Sequence, residues 1–288
     1  MSSSDHDRVE DPKGRLDEDD HMRAMERLEM EVVSLHEPFP GVTRVTARFD
    51  PVRPEAWARP NVAIRINVEE PEDGRPITRI YTVRSFDPER CLIEIDFVLH
   101  DDDSPAMRWL NGTGPGETVG LIGPRDHFVP DPVPGKRVAI LADDTAIPAV
   151  YAILNAWSQG AAATVWIETA NRAAFDELPV VPGVTYHLLL RAPDTPPGTG
   201  RLLISAATQA VTDPRGWKLW AAGERQEMRD LRSHFFTLGF ARDDIQVLGY
   251  WRHGISSSEL DRMRLKKYAA IRDREQTLET LDDADLPI

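Results

Sequence analysis

The chain of 288 residues carries 48 acids against 34 lysines and arginines, a formal net charge of −14, and is 41% hydrophobic. That length suits two domains with full cores and excludes wholesale disorder. The acidity argues against nucleic acid or an anionic membrane surface as the main partner. The one cysteine, Cys91, rules out an intrachain disulfide and a cysteine-based zinc or iron–sulfur site, and no apolar run approaches the ~18 residues of a membrane span.

Met1–His21 is polar and acidic and lacks an apolar stretch, so it is expected to be a disordered tail rather than a secretory signal. A reducing cytoplasm is the default compartment. From Met30 to Pro124 the signals are mostly β. Val42–Phe49, Val62–Val68, Ile77–Val83, Leu92–Leu99 and Thr118–Ile122 are runs of β-branched or alternating residues, separated by Pro, Gly and Asp clusters. Ser104-Pro105 opens a short helix through Leu110. Strands at this spacing predict an antiparallel barrel or sandwich.

Asp131–Gly135 reads as a linker, after which the rhythm changes. Strands are expected at Arg137–Ala142, Thr164–Glu168, Val184–Leu190, Trp217–Ala222 and Ile245–Tyr250, with helices at Ala146–Trp157 and Glu224–Leu238. Alternation of this kind predicts a parallel sheet covered by helices. A last helix, Ser256–Leu281, is expected to be capped by Ser258. The expected division is a disordered tail over 1–21, a β domain over 22–131, an α/β domain over 136–254 and a C-terminal helix with an acidic tail over 255–288. Ligands then favour the cleft between the domains.

The most specific stretch is Arg79-Ile80-Tyr81-Thr82-Val83-Arg84. On a strand, Arg79, Tyr81 and Val83 share one face, and Thr82 and Arg84 the other. Two fixed guanidiniums suit a pyrophosphate, because their forks match its oxygens; an ordinary strand with solvated arginines and a core tyrosine is the plainer alternative. Asp101-Asp102-Asp103 after His100 reads as an acidic loop rather than a metal site, and the amides after Ser104, with Arg108 nearby, form a phosphate seat. Gly112–Gly116 looks like a dinucleotide fingerprint but precedes a strand, so it reads as a hairpin loop. The eight histidines are scattered without a metal-type pair such as H-x-x-x-H.

Arg79–Arg84, the Asp96–His100 strand, Ser104-Pro105-Ala106 with Trp109, Gly123-Pro124-Arg125, Leu141–Pro148, Ala222-Gly223-Glu224 and Tyr250–Gly254 occur in an order that resembles the siderophore-interacting protein family, flavin-dependent ferric-siderophore reductases related to ferredoxin reductases. The resemblance spans Met30 to Gly254. It implies an N-terminal antiparallel Greek-key β-barrel that binds FAD, then an NAD(P)H-binding α/β domain, and reduction of Fe(III) in a siderophore to release Fe(II) in the cytoplasm.

Carried over by position, the resemblance puts Arg79 on the FAD pyrophosphate and Tyr81 along the ribityl chain and isoalloxazine. Thr82 comes near the flavin N5 edge, with Val83 and Arg84 extending that contact. It places His100 at the end of the next strand and Ser104, Ala106, Met107, Arg108 and Trp109 at the diphosphate. Asp143, Asp144, Thr145, Gly223, Glu224, Tyr250, Trp251 and Arg252 fall on the nicotinamide side. Met107 stands where the family has a small hydroxyl residue, and Ala142 and Asp126 stand where it has glycine; Ala142 is expected to crowd the nicotinamide approach.

The expected cofactors are FAD and NADH or NADPH, the expected substrate a ferric siderophore. Arg264, Lys266 and Lys267 on the last helix are candidates to attract an anionic siderophore or a ferredoxin, with a solvated helix face as the plainer reading. Two alternatives are a ferredoxin-reduced flavoprotein with weak NAD(P)H use, and a non-enzymatic siderophore-binding protein. A monomer is the default. The two tails carry −5 each, which leaves −4 for the folded middle; the arginines Arg79, Arg84, Arg108 and Arg125 are expected to make the cleft locally positive.

Overall fold

A computed structural model describes residues 25–71, 76–100, 103–260 and 262–263. The first half is a closed six-stranded antiparallel barrel: β1 (Glu26–Phe39), β2 (Val42–Arg48), β3 (Val62–Glu69), β4 (Ile77–Asp87), β5 (Leu92–Val98) and β6 (Thr118–Asp126), in the order β1-β2-β5-β4-β3-β6. Alternation explains it. In β3 the residues Val62, Ile64, Ile66 and Val68 point inward and join Val45, Ile93, Ile95, Phe97 and Leu121 in one core. The short helix α1 (Pro54–Trp57) plugs the barrel with Trp57, whose ring lies against the glycine at 123. Helix α2 (Pro105–Gly112) spans the gap between β5 and β6. Gly112–Gly116 therefore joins a helix to a strand and is not a hairpin loop.

The long strand β1 was not foreseen. Its pairing with β2 shifts register between Val32 and Ser34 and again between His36 and Phe39. Bulges of this kind bend a strand. The bend takes the β1–β2 hairpin tip out of the barrel, so that Phe39 is buried in the core of the second half.

That second half is a five-stranded parallel sheet, β7 (Arg137–Asp143), β8 (Ala163–Thr169), β9 (Val184–Leu190), β10 (Trp217–Glu224) and β11 (Ile245–Trp251), ordered β11-β10-β7-β8-β9. Helices α3 (Ile147–Asn155), α4 (Arg172–Asp176), α5 (Leu202–Ala210) and α6 (Arg225–Leu238) cover it, with separate apolar cores on its two faces. Every residue of β8 is buried, as expected of a strand covered on both sides. In α6, Met228, Leu231 and Phe235 face the sheet, and the helix ends on Gly239 at φ +98°, the left-handed turn glycine tolerates best. Strand order reverses between β7 and β10, and their carboxyl ends face the barrel.

After β11 the chain turns through 252–255 into a helical turn at 257–260. Here Ser256, not Ser258, caps the turn: its Oγ accepts from Glu259 N at 3.2 Å. The rest of the expected last helix, with Arg264, Lys266 and Lys267, and the expected tail over 1–21 lie outside the described residues.

Candidate functional site

The marked residues of β4 lie in different surroundings, and Ile80 is exposed. Tyr81 lies at a ring distance of 4.1 Å from Phe97, which in turn lies 5.3 Å from Trp109. Burial pushes the Tyr81 hydroxyl well above the usual phenol range. Arg79 is buried at the barrel rim; it donates to Thr78 O at 2.8 Å and to Ser258 Oγ at 2.6 Å. The Thr82 side chain meets the hydroxyl of Tyr250, which also donates to Asn61 Oδ1 at 3.3 Å. Val83 belongs to the barrel core rather than to an open surface.

Arg84 does not share a seat with Arg79. Side chains alternate along β4, so Arg84 shares the Thr82 face and points toward the α/β domain, beside a register shift between Val83 and Ser85. There it is 3% exposed and donates to Asp96 Oδ2 at 3.2 Å and to Glu177 Oε2 at 2.8 Å, with its guanidinium carbon 3.7 Å from the Tyr151 ring centre. A pyrophosphate held by both arginines is therefore not what this geometry offers.

Near Tyr81 and Trp109, helix α2 begins at Ser104-Pro105. Among the described residues, the Ser104 side chain makes no cap bond and no acid stands in the first turn of α2, which leaves the positive end of its dipole for an anion. Ala106 and Met107 are buried in the barrel core, so only their backbone is available to a ligand. The Arg108 guanidinium is engaged beside the helix start: Nη2 donates to Glu69 Oε2 at 2.6 Å and Nη1 to Asp103 O. His100 is exposed, and its backbone amide faces Met107 Sδ. Arg125 is half-buried on β6.

The carboxyl edge of the sheet is strongly acidic. Asp143 ends β7 beside the reversal of strand order. It accepts from Thr145 N (2.9 Å), Thr145 Oγ1 (2.6 Å) and Trp251 Nε1 (2.7 Å). A Cβ on Gly223 would fall 2.6 Å from Asp143 Oδ2, so only glycine leaves this carboxylate its place. Burial pushes the Asp143 carboxyl up to about 6, although the Thr145 and Trp251 hydrogen bonds pull the other way. Glu224 caps α6, accepting from Gln226 N at 2.6 Å and Glu227 N at 2.9 Å, and its other oxygen accepts from His253 N at 3.2 Å. Glu227 reaches α5 and accepts from Ile204 N at 3.0 Å; burial pushes it up to about 7. Glu168 is buried and raised by that burial, opposed by Arg191, which also binds Asp144 at 2.9 Å. Arg252 pairs its backbone with Ile255 beside this edge.

The two faces of the cleft thus differ in what they can hold. The barrel face has a buried guanidinium at its rim, an aromatic ring series and an uncapped helix start, a donor set that fits the diphosphate and ring of FAD. Arg79 and the α2 amides would hold the diphosphate, and Tyr81 and Thr82 the ring and its edge. The sheet face has carboxylates at its helix starts: Asp143 after β7, Glu227 at α5 and Glu224 at α6. The backbone amides of Thr145, Ile204, Gln226 and Glu227 already donate to these carboxylates.

Sequence reading missed Arg44, Glu177 and Ser258. Arg44 and Asp96 are direct partners in the β2–β5 ladder, which the alternation could have shown. Nothing local marked Glu177 or the bond of Ser258 to Arg79.

Residues 44–128 match the siderophore-interacting FAD-binding domain, and residues 135–254 match the siderophore-interacting protein family. The chain is 42% identical over 272 residues to a ferric acinetobactin reductase of Acinetobacter baumannii, covering 94% of both chains. Its fold superposes on the siderophore-interacting protein structure from Acinetobacter baumannii with a TM-score of 0.81 at 43% identity, covering 86% of this chain and 99% of that one. A cytochrome P450 reductase from Amycolatopsis, at 17% identity and a TM-score of 0.60 over 77% of this chain and 69% of that one, shares the ferredoxin-reductase-like fold. With barrel, sheet and both matched segments in agreement, the chain belongs to the siderophore-interacting protein family.

Proposed function

We infer that this protein is an FAD-dependent ferric-siderophore reductase that frees iron as Fe(II) in the cytoplasm. The observation that carries the reading is the barrel face: a buried Arg79, the Tyr81–Phe97–Trp109 ring series and the uncapped start of α2 meet at one rim. The likeness to a ferric acinetobactin reductase over nearly the whole chain supports the substrate class. When bound, FAD supplies a carrier that takes electrons in pairs and passes them singly to Fe(III).

The residues have distinct parts in this reading. Arg79 holds the diphosphate, and Ser258 holds the Arg79 fork in place. Tyr81 supports the ring system from the barrel side. Thr82, tied to Tyr250, fixes the strand edge opposite Asp143. The iron is substrate, delivered in its chelate, and the protein orients the chelate rather than ligating the metal.

For the electron donor, NADH or NADPH is the ordinary partner of a ferredoxin-reductase-like fold. The carboxylates that cap the sheet edge favour the second donor, a reduced ferredoxin, which needs no phosphate seat. The cofactor claim is tested by adding FAD to the purified protein and removing excess. A yellow protein that retains about one flavin per chain supports it, and a colourless protein that takes up no flavin overturns it.

A further inference from the structure

Four charged side chains and one ring meet where barrel and sheet join. Arg44 Nε donates to Asp96 Oδ1 at 2.6 Å and Nη2 to Asp96 Oδ2 at 3.1 Å; Nη2 also lies 2.8 Å from Glu177 Oε2. Arg84 binds the same two carboxylates and lies over Tyr151. Arg44, Arg84 and Asp96 come from the barrel; Glu177, just past α4, and Tyr151, on α3, come from the α/β domain. Two positive and two negative groups cancel, so the cluster can be buried without a net charge. Such a cluster is a poor source of stability, because desolvation offsets attraction, but its planar forks tolerate little change in angle.

Other ties run along the same junction. Phe39 of the hairpin tip is buried in the α/β core, and Asn171 Nδ2 donates to Pro40 O at 2.9 Å. Trp220 Nε1 and Asn61 Nδ2 both donate to Phe128 O, at 2.9 and 2.6 Å, which fixes the segment linking β6 to β7. A hinge needs a few residues free to absorb a change in backbone angle; here the linker and the opposite side of the junction are both pinned. Arg84 also lies two residues beyond Thr82 on the same strand.

We propose that Arg84 and Glu177, with Arg44, Asp96 and Tyr151, form an interdomain latch that holds the cleft at its working width, so that substrate is taken up without domain closure. These are positioning residues: they act through the placement of β4 against the sheet edge. The effect on turnover rests on the flavin reading above; the effect on domain placement does not.

The test uses the full chain, FAD-loaded, as wild type, Glu177→Gln, Arg84→Lys and Tyr151→Leu. Glu177→Gln removes the charge and keeps the shape, and Arg84→Lys keeps the charge and loses the fork. Three quantities are measured: hydrogen exchange over 147–155 and 172–176, FAD affinity by fluorescence titration, and initial rates of Fe(II) formation against ferric-chelate concentration. The expected result for Glu177→Gln is faster exchange in both segments, FAD affinity within about twofold of wild type, and kcat lowered about tenfold with KM little changed. Arg84→Lys falls between it and the wild type. Small-angle scattering of the wild type is expected to give one radius of gyration with and without ferric chelate. Wild-type exchange and wild-type kcat in both Glu177→Gln and Arg84→Lys would overturn the proposal, as would a wild type that contracts on binding the chelate. If no preparation reduces iron, the exchange and scattering arms still decide whether the latch exists. Should Glu177→Gln not fold, Tyr151→Leu removes the ring beneath Arg84 and carries the same expectations.

Discussion

Arg79 on the barrel donates a 2.6 Å hydrogen bond to Ser258, 179 residues further along the chain. The segment after the last strand therefore returns to the barrel rim, where Arg79, Tyr81 and the start of α2 stand together. Ser258 is 1% exposed and Leu260 5% exposed, so this return is packed and not merely adjacent.

Removing the guanidinium tests the seat. Arg79→Ala loses a charge-assisted contact of about 1.5–3 kcal/mol, and FAD affinity is expected to fall roughly tenfold to a hundredfold. Ser258→Ala frees the fork without removing it and is expected to weaken binding by only about two- to fivefold, roughly 0.5–1 kcal/mol. Fluorescence titration of FAD reads both. Equal losses in the two variants would show that Ser258 does more than hold Arg79.

Glu227 sets a pH dependence of stability. Its carboxyl titrates near 7 in the folded chain because burial disfavours its charge, whereas an exposed glutamate titrates near ~4.3. A folded state that binds the proton more tightly is favoured at low pH. That contribution is complete below the unfolded value and is lost as pH rises through about 7. Asp143, pushed up to about 6, acts in the same direction. Thermal melts are expected to fall as pH rises from 5.5 to 8. Glu227→Gln keeps an acceptor for Ile204 N and should flatten part of that slope, gaining about 1 kcal/mol at pH 8. An unchanged slope would show that Glu227 is not buried as described.

Phe39 tests how the halves are joined. Although it ends a barrel strand, it is 6% exposed and packs in the α/β core. Phe39→Ala should cost about 3–5 kcal/mol and lower Tm by roughly 10 °C, read by calorimetry. A loss under 1 kcal/mol would place the ring outside that core.

Gly223→Ala probes the sheet edge. The added methyl would meet Asp143 Oδ2 at 2.6 Å and displace the carboxylate from Trp251 Nε1. A shift in tryptophan emission is expected, with a fall in melting temperature. Unchanged emission would argue against the Trp251–Asp143 bond.

The barrel was legible where alternation was regular. Val62–Val68 and Leu92–Leu99 read as strands because one side of each faces a core, and the structure gives Val62–Glu69 and Leu92–Val98. Strand β1 was not, because two register shifts and its charged residues break the pattern. Helices α4 and α5 escaped for another reason. The first has only five residues, and the second opens on Arg201 in a left-handed conformation with no side-chain cap. At the site, the Arg79–Arg84 stretch was recognisable as a strand with unusual side chains. Alternation puts its two arginines on opposite faces, but their partners, 93 and 179 residues away, were not legible. Ser258 was read as a helix cap on local grounds; Ser256 serves that role and leaves Ser258 to Arg79.

The central claim is flavin-dependent reduction of chelated iron. The most direct measurement is anaerobic Fe(II) formation from a ferric siderophore, followed with a chromogenic Fe(II) trap. FAD-loaded and FAD-free protein are compared with NADH, NADPH and reduced ferredoxin in parallel. The account predicts Fe(II) release that requires bound FAD and is fastest with reduced ferredoxin. Bound FAD with no Fe(II) above the protein-free control from any of the three donors would contradict it.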